Sequence, residues 1–494
     1  MKVQLLFKNK DISKNAKVCF GYNFLIQDLA LNPIIETMAR DDLIIKQTVT
    51  EILGTPLTNI DEIKYRQEIL TDSLNNKSTL LKMYAIATNA LKEQKRMQFW
   101  ISDKYINGVL ISSIDLLKTY VQKLAIIRNL LQNKDLQFKS IGFIRFITMI
   151  KSEIDDSYIK KALEELDEFR KYITDKEGLL ISASLGSFCQ GINYVLQKKD
   201  KNHFKRTWKN AKRFTIGERD TAAKKDLSDR KDRATVECAN ILGNTSANIF
   251  AFFEQLQKEL SFYVGCINLE NKMHEYNMPV CIPTITNQTI FSRSWNQLYD
   301  IGLVIIQKAP VITNSCDTSN TNLTIITGAN QGGKTTFLRS FGAAQVMMQC
   351  GMFVGAKKYV APIRTGIFTH FKKEEDTTQT SGKLAEELER MKGIITSINT
   401  NSLILFNESF ASTNDREGSE IFRQITQALL EHNVEIFSVT HLISYVQSFL
   451  NKEKVLFLRA ERLENKKRTF KIIKGKPFLT AYGNDIWEKI FTIS

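Results

Sequence analysis

Residues 325–336 read IITGANQGGKTT, and this stretch decides the fold of the C-terminal part of the chain. It fits the pattern G-x-x-x-x-G-K-[ST], whose fixed positions are Gly328, Gly333, Lys334 and Thr335. The apolar run before it, 323–326, predicts a buried strand, and the proline-free run after it, 334–350, predicts a helix. A glycine-rich turn between a strand and a helix directs backbone N–H groups into a concavity that holds phosphate oxygens. The stretch therefore predicts a nucleotide site in an α/β domain.

The residue types in this turn predict how ATP and Mg²⁺ would be held. The Lys334 ammonium would reach the β- and γ-phosphates, and the Thr335 hydroxyl would ligate Mg²⁺. The residues predicted to bind the nucleotide are Gly328, Asn330, Gly332, Gly333, Lys334, Thr335 and Thr336.

Two later apolar runs end in polar residues suited to the same site. The run 402–406 ends in Asn407-Glu408, and the run 436–440 ends in His441. In proteins with this phosphate-binding loop, such strands deliver a Mg²⁺ ligand and a residue that orients or deprotonates the attacking water. We expect Asn407 to face the metal, Glu408 to act on the water and His441 to sense the γ-phosphate at the carboxyl edge of the sheet.

Length and composition predict a cytoplasmic protein of several domains. The chain has 494 residues, 43% of them apolar, and no stretch approaches 18 uninterrupted apolar residues. The N-terminus lacks the features of a signal peptide. Seven cysteines without a C-x-x-C pair are typical of reduced thiols, and they argue against a zinc site.

The positive charge is concentrated in two stretches. The net charge is +15; residues 198–213 carry eight Lys or Arg against one acid, and residues 452–476 carry ten against three. Such patches suit a polyanion, because neutralised phosphates release counterions. A solvated, lysine-rich surface is the alternative that charge alone leaves open.

Proline placement and apolar spacing divide the chain near residue 280. No proline lies between Pro56 and Pro279, and apolar residues at helical spacing predict long helices at 115–133, 154–177 and 235–264. Residues 178–197 predict a small strand excursion between two of them. Beyond 280, short apolar runs such as 301–306 alternate with turns, and 314–322 is expected to be a polar loop. Strand and helix then alternate to about residue 457, which indicates a mostly parallel sheet.

At this point the chain resembles the MutS family of DNA mismatch repair ATPases. TGANQGGKTTFLR, residues 327–339, is similar to the family's TGPNMGGKSTYLR. Further similar segments are GMFVGAK at 351–357, GIFT at 366–369, NESFAST at 407–413 with Gly418, TH at 440–441, and TAYG at 480–483. Upstream, residues 55–63 with Arg66 resemble the start of the family's core domain.

The resemblance implies a multidomain protein. An α-helical core and lever region with a small β-containing, clamp-like tip would be followed by an α/β P-loop ATPase domain. The implied domains are an N-terminal segment, 1–54; core and lever helices, 55–280, with the clamp-like insertion near 178–235; and the ATPase domain, 281–494, with C-terminal dimerisation helices.

Three departures from the family pattern qualify the expected function. The core motif already begins at residue 55, which leaves no room for a mismatch-recognition domain, and Phe252-Phe253-Glu254 fits that domain's F-x-E by letters only. Asn407 replaces the usual Asp. Leu384-Ala385-Glu386 stand where a subunit-bridging S-T-F is usual, although Ser381-Gly382-Lys383 and Glu389 fit. A fused endonuclease is not expected either.

The sequence thus favours an ATP-dependent clamp on duplex or branched DNA that is not a classical mismatch sensor. We expect a homodimer with composite ATP sites and DNA contacts through backbone phosphates. The candidate DNA-binding residues are Lys205, Arg206, Lys209, Lys212 and Arg213. Two alternatives remain open: a nucleotide-gated dimeric scaffold with little turnover, and an ATPase that binds structured RNA or the ribosome.

Overall fold

The structure is a computed structural model that describes residues 1–10, 19–100, 106–133, 136–175, 178–198, 212, 214–286, 291–372, 382–463 and 468–477. The helices are α1 Tyr22–Asp28, α2 Asn32–Ala39, α3 Leu43–Leu53, α4 Ile60–Asn75, α5 Lys77–Trp100, α6 Ile106–Leu131, α7 Ile141–Glu153, α8 Asp156–Ile173, α9 Thr221–Glu275, α10 Ile301–Gln307, α11 Lys334–Gln349, α12 Lys383–Ser397, α13 Asp415–Glu431 and α14 Ile443–Ser448.

The strands are β1 Ile181–Leu185, β2 Gly191–Leu196, β3 Thr284–Thr286, β4 Arg293–Leu298, β5 Asn314–Thr318, β6 Leu323–Thr327, β7 Lys358–Pro362, β8 Ile367–Phe371, β9 Leu403–Asn407, β10 Glu435–Val439, β11 Val455–Arg462 and β12 Arg468–Lys474. The chain divides into two compact units: residues 1–4, 76–138 and 143–260, and residues 5–75, 139–142 and 261–494. We call them the helical unit and the sheet unit. The multidomain α/β architecture predicted from the sequence is therefore confirmed.

The helical unit is built on α6, α8 and the N-terminal part of α9. Apolar side chains from the three helices share one cluster, which includes Leu110, Phe169 and Ala239. Where α6 and α8 run side by side, ion pairs join them: Arg170 Nε lies 2.6 Å from Asp115 Oδ1, and Lys118 Nζ lies 2.7 Å from Asp167 Oδ1. Apolar side chains from one side of each helix meet in this cluster, which explains why the 3- and 4-residue spacing predicts helices here. Phe252 and Phe253 are buried in α9, in agreement with core packing.

The strand excursion predicted at 178–197 is confirmed as an antiparallel hairpin of β1 and β2. It follows α8 in the chain and precedes α9, and the hairpin itself lies in the helical unit. The basic residues after it fall largely outside the described part of the chain, so only Lys198 and Lys212 of residues 198–213 can be placed, and both are exposed.

The sheet unit contains a six-stranded sheet in the order β12-β11-β6-β10-β9-β8. All neighbours are parallel except β12, which pairs antiparallel with β11. The strands β6, β9 and β10 are almost entirely buried and mostly apolar, as expected when helices cover both faces of a parallel sheet. Because parallel strands end at the same edge, the residues that follow these three strands come together.

A second sheet in this unit has the order β3-β7-β4-β5 and corrects one prediction. The polar loop expected at 314–322 is wrong for its first part, because Asn314–Thr318 forms β5. This strand lies at the sheet edge, where polar residues are tolerated, and it pairs with β4 alone in that sheet. Its buried Asn314 side chain accepts a hydrogen bond from the Ile472 N–H at 2.7 Å. The apolar run at 301–306 lies in the helix α10, and the Asp300 side chain caps the N-terminus of this helix.

The domain boundaries predicted at residues 54 and 280 remain predictions. A compact unit of the structure need not coincide with a family domain, so the two units do not test these boundaries. The long helix α9 contributes residues to both units. The TAYG segment at 480–483 and Ser381 lie outside the described residues. Within the described residues, no helix is long and apolar enough to cross a membrane.

Candidate functional site

The predicted phosphate-binding loop lies between β6 and α11 in the sheet unit. Two of its glycines have positive φ angles, 121° at Gly328 and 88° at Gly333, which L-residues with a Cβ rarely adopt. Gly332 is needed for a different reason: a Cβ there would lie 2.8 Å from the carbonyl oxygen of Ala329. Gly333 precedes the first turn of α11, whose N–H groups have no acceptor within the helix and suit an anion.

Lys334 is held inside this loop. Its Nζ donates hydrogen bonds of 2.9 Å each to the carbonyl oxygens of Gly328 and Ala329. The side chain is buried, and burial lowers the pKa of Lys334 to about 8, although the Glu408 carboxylate opposes this effect. Phosphate oxygens could replace the two neutral carbonyl oxygens as hydrogen-bond acceptors, and their negative charge would stabilise the ammonium.

Thr335 and Asn407 meet at the predicted metal position. The Thr335 hydroxyl donates a 3.0 Å hydrogen bond to Asn407 Oδ1, although the two residues are 72 positions apart in the sequence. Both oxygens are ligand types that Mg²⁺ accepts. Among the described residues there is no cluster of three His, Cys, Asp or Glu side chains that could hold a metal. The Thr335 and Asn407 oxygens are both uncharged, so these two side chains would offer Mg²⁺ only neutral ligands.

Glu408 and His441, the two residues predicted to be catalytic, lie next to each other. Glu408 follows β9 and His441 follows β10, and Glu408 Oε1 lies 3.0 Å from His441 Nε2. The approach of the His441 ring lowers the pKa of Glu408, as do the charges of Lys334 and Lys372, so this carboxylate stays ionised. Glu408 also has a φ of 54°, an uncommon conformation for this residue type and one that occurs at functional sites.

A buried network behind Glu408 was not predicted from the sequence. His370, on β8, is 1% exposed; its Nδ1 lies 2.7 Å from Ser409 Oγ, and its Nε2 donates to the Glu387 carbonyl oxygen at 3.0 Å. The Glu387 carboxylate in turn accepts a 2.8 Å hydrogen bond from the Phe410 N–H. These contacts fix the turn after Asn407 to β8 and α12. Nothing in the local sequence pattern distinguishes His370 from an ordinary strand residue.

A cavity of about 690 Å³ opens beside the phosphate-binding loop, within the range typical of small-molecule sites. Residues 330–337 and Glu408 line one part of it, and Tyr299, Leu303 and Ile312 line another. The loop, including Thr335, and the candidate catalytic carboxylate therefore border one space large enough for a nucleotide.

The segment that replaces the family's subunit-bridging loop is described only in part. Lys383 begins α12, and Leu384 is partly buried against an apolar cluster of the sheet unit. Glu389, which fits the final acid of the pattern, is exposed and pairs with Lys392 at 3.7 Å. Of the five candidate DNA-binding residues, only Lys212 lies among the described residues, where it is exposed.

Comparison with known proteins gives two family matches. Residues 58–276 match the model of the MutS2 N-terminal domain, and residues 324–489 match that of MutS domain V. Together the two matches cover most of the chain, and the second contains the loop, Asn407, Glu408 and His441.

Each individual relative aligns with only part of this chain. MutS protein homolog 4 of Mus musculus is 28% identical over 211 residues, 41% of this chain and 22% of that protein. The DNA mismatch repair protein MutS of Bacillus licheniformis is 28% identical over 231 residues, 44% of this chain and 27% of that protein. Endonuclease MutS2 of Thermus thermophilus is 29% identical over 155 residues, 31% of this chain and 21% of that protein.

The matched part of the chain thus spans about a quarter of the length of these relatives. Two models of one family nevertheless match consecutive parts of the sequence, and the second match contains the motifs of the site. The chain belongs to the MutS family.

Proposed function

We propose that this protein is an ATP-dependent DNA-binding protein of MutS type, with the P-loop ATPase in the sheet unit and a lever and clamp region in the helical unit. The observation that carries the proposal is the convergence of Lys334, Thr335, Asn407, Glu408 and His441 at one sheet edge, although they come from three separate stretches of sequence. Membership of a family of DNA repair proteins supports DNA as the polyanion.

In this proposal the residues around the loop divide the work. The N–H groups at the start of α11 and the Lys334 ammonium bind the phosphates of ATP, and Gly332 and Gly333 allow the loop to form its tight turn. The Thr335 hydroxyl and Asn407 Oδ1 fit Mg²⁺, which would neutralise phosphate charge during transfer. Glu408, ionised and 3.0 Å from His441, accepts the proton of the attacking water, and His441 orients that carboxylate.

DNA would be held mainly through its phosphates by the basic segment that follows the β1–β2 hairpin. Residues 198–213 carry eight Lys or Arg, among them the proposed contacts Lys205, Arg206, Lys209, Lys212 and Arg213. Contacts of this kind position a protein on DNA without reading the base sequence. Changing Lys209, Lys212 and Arg213 to Ala should weaken binding uniformly across sequences and flatten its salt dependence. An unchanged salt dependence would remove this segment from the interface.

A second candidate function is a nucleotide-gated dimeric scaffold with little turnover. It is favoured by Asn407, which brings no negative charge to the metal side, and by Leu384, which is partly buried against an apolar cluster where a subunit-bridging serine is usual. Under either function we propose a homodimer with composite ATP sites. Structured RNA in place of DNA is the remaining alternative.

Steady-state ATP hydrolysis with and without DNA separates these functions. We expect DNA-stimulated turnover that Glu408→Gln abolishes while nucleotide binding persists. The control is Glu420→Gln, because Glu420 is an exposed acid on α13 that pairs with Arg423 away from the loop. Tight ATP binding without turnover in the unchanged protein would support the scaffold, and tighter binding to RNA than to DNA at physiological salt would support the RNA alternative.

A further inference from the structure

The turn that carries Glu408 has a conformation that its own residues disfavour. Glu408 has a φ of 54° and Phe410 a φ of 60°, so two of three consecutive residues are left-handed, and neither is a glycine. Residue types of this size are destabilised in the left-handed region, and they persist there where contacts from the rest of the fold hold them. The position of the Glu408 carboxylate therefore depends on what holds this turn.

Three neighbouring elements hold the turn. The Glu408 N–H donates to the Val439 carbonyl oxygen of β10 at 2.8 Å. Two residues later, the Phe410 N–H donates to the Glu387 carboxylate of α12, also at 2.8 Å. The residue between them is Ser409, whose fully buried side chain contacts β8. The contact with β10 joins backbone groups only, so side chains enter through α12 and β8.

The contact with β8 is made by His370. The Ser409 hydroxyl donates to the His370 carbonyl oxygen at 2.6 Å and lies 2.7 Å from Nδ1 of the same residue. The His370 Nε2 lies 3.0 Å from the Glu387 carbonyl oxygen, which can only accept, so Nε2 carries a hydrogen. Burial lowers the pKa of His370 to about 4, so the ring is neutral at physiological pH and Nδ1 has no hydrogen. Nδ1 is therefore a second acceptor for the Ser409 hydroxyl.

The His370 ring also supports the turn by packing. It stacks on the ring of Phe410, with centroids 5.2 Å apart and planes 19° from parallel. Glu387 completes the arrangement, because its carbonyl oxygen accepts from His370 and its carboxylate accepts from Phe410. A change at His370 would therefore reach both of the residues that follow Glu408.

We propose that His370 is a positioning residue for ATP hydrolysis: it fixes the two residues after Glu408 and so aims that carboxylate at the attacking water. The inference rests on the proposed ATPase function and adds to it a residue that acts through the turn. Transfer of a proton requires the acceptor within hydrogen-bond reach of the water, and a displacement of 1 Å lowers the rate by roughly 100-fold. His370 does not line the nucleotide cavity, so nucleotide affinity should not depend on it.

Steady-state ATP hydrolysis and equilibrium binding of a fluorescent ATP analogue, both with the full-length protein, test this role in two variants of His370. The side-chain oxygen of Asn occupies the place of Nδ1, and the side-chain nitrogen of Gln occupies the place of Nε2. His370→Asn thus retains an acceptor for Ser409, whereas His370→Gln retains only the donor to Glu387. We expect kcat to be at least about 5-fold lower in His370→Gln than in His370→Asn, the effect of one hydrogen bond, and analogue affinity to change less than about 2-fold in either.

The other side of the contact gives a second measurement. Ser409→Ala removes the hydroxyl and should lower kcat by roughly 10- to 100-fold. Adding His370→Gln to Ser409→Ala should lower kcat little further, because both changes break the same contact. The matched control is Thr426→Val, which removes a buried hydroxyl 3.2 Å from the Tyr445 hydroxyl, in a contact that includes no residue of the turn. It should leave kcat unchanged.

The outcomes separate this role from the proposed function. Equal kcat values for His370→Asn and His370→Gln, or losses that multiply in the double variant, would overturn the positioning role and leave ATP hydrolysis established. A fall in analogue affinity as large as the fall in kcat, or an equal loss of kcat in Thr426→Val, would assign these contacts to stability alone and overturn it too. Absence of turnover in the unchanged protein would overturn the proposed hydrolysis together with this role.

Discussion

The pKa of Lys334 leads to a prediction about nucleotide affinity and pH. Burial lowers the pKa of this side chain from its ordinary value of 10.5 to about 8 in the nucleotide-free protein. Bound phosphates would favour the charged form and raise it again. Nucleotide binding therefore takes up a proton above pH 8, and affinity should fall as the pH rises through that value.

The size of the effect follows from the fraction of neutral Lys334. With a pKa of about 8, this fraction is small at pH 7, about one half at pH 8 and about ten elevenths at pH 9. If only charged Lys334 binds phosphate well, the dissociation constant should rise about 2-fold at pH 8 and about 11-fold at pH 9. The terminal phosphate is already largely ionised above pH 7, so its own titration adds little.

The assay is titration with a fluorescent ATP analogue between pH 7 and pH 9 at constant ionic strength. Lys334→Ala serves as the reference, because it retains every other titrating group of the cavity. The ratio of the two affinities should shrink about 10-fold between pH 7 and pH 9. A ratio that stays constant would show that Lys334 remains charged throughout, and it would refute the argument that burial governs this side chain.

Three further predictions concern other parts of the sheet unit. Asn407→Asp places a negative charge beside the Thr335 hydroxyl, whose oxygen lies 3.0 Å from Asn407 Oδ1. It should lower the Mg²⁺ concentration needed for half-maximal nucleotide binding by at least about 5-fold, since two unit charges 4 Å apart attract by about 1 kcal/mol even in bulk water. An unchanged Mg²⁺ requirement would mean that Asn407 does not face the metal. His441→Ala should lower kcat for ATP by roughly 10- to 100-fold and leave KM nearly unchanged, because His441 orients Glu408; equal changes in both parameters would assign His441 to substrate binding instead. Glu435→Gln should lower the free energy of unfolding by about 3–5 kcal/mol in denaturant titrations, because Glu435 is buried between two arginines, whereas Glu420→Gln on the surface should change it little. Burial alone would raise the pKa of Glu435, but the two guanidinium groups lower it, so this contribution is present at neutral pH and is lost only as the pH falls below the ordinary Glu value.

Much of the candidate site could be predicted because its residues lie next to one another in the sequence or end neighbouring parallel strands. The strand, loop and helix at 323–349 are a local pattern, and Gly333 fits because φ is 88° there. Asn407, Glu408 and His441 each follow an apolar run, and strands of that type in a parallel sheet end at one edge. The pattern therefore determined the identity of these residues, and the sheet order brought them within 3.0 Å of their partners.

The remaining features depended on contacts between residues far apart in the chain. His370 acts with Ser409 and Glu387 only because β8 lies beside β9 and α12 packs behind them, which no local period encodes. The polar stretch at 314–318 became a strand because an edge position tolerates its side chains. The sequence by itself determined the phosphate-binding loop, the helical character of the first half and the family. Tertiary structure alone decided that Lys334 and His370 are buried, since burial depends on which distant segments pack over a side chain.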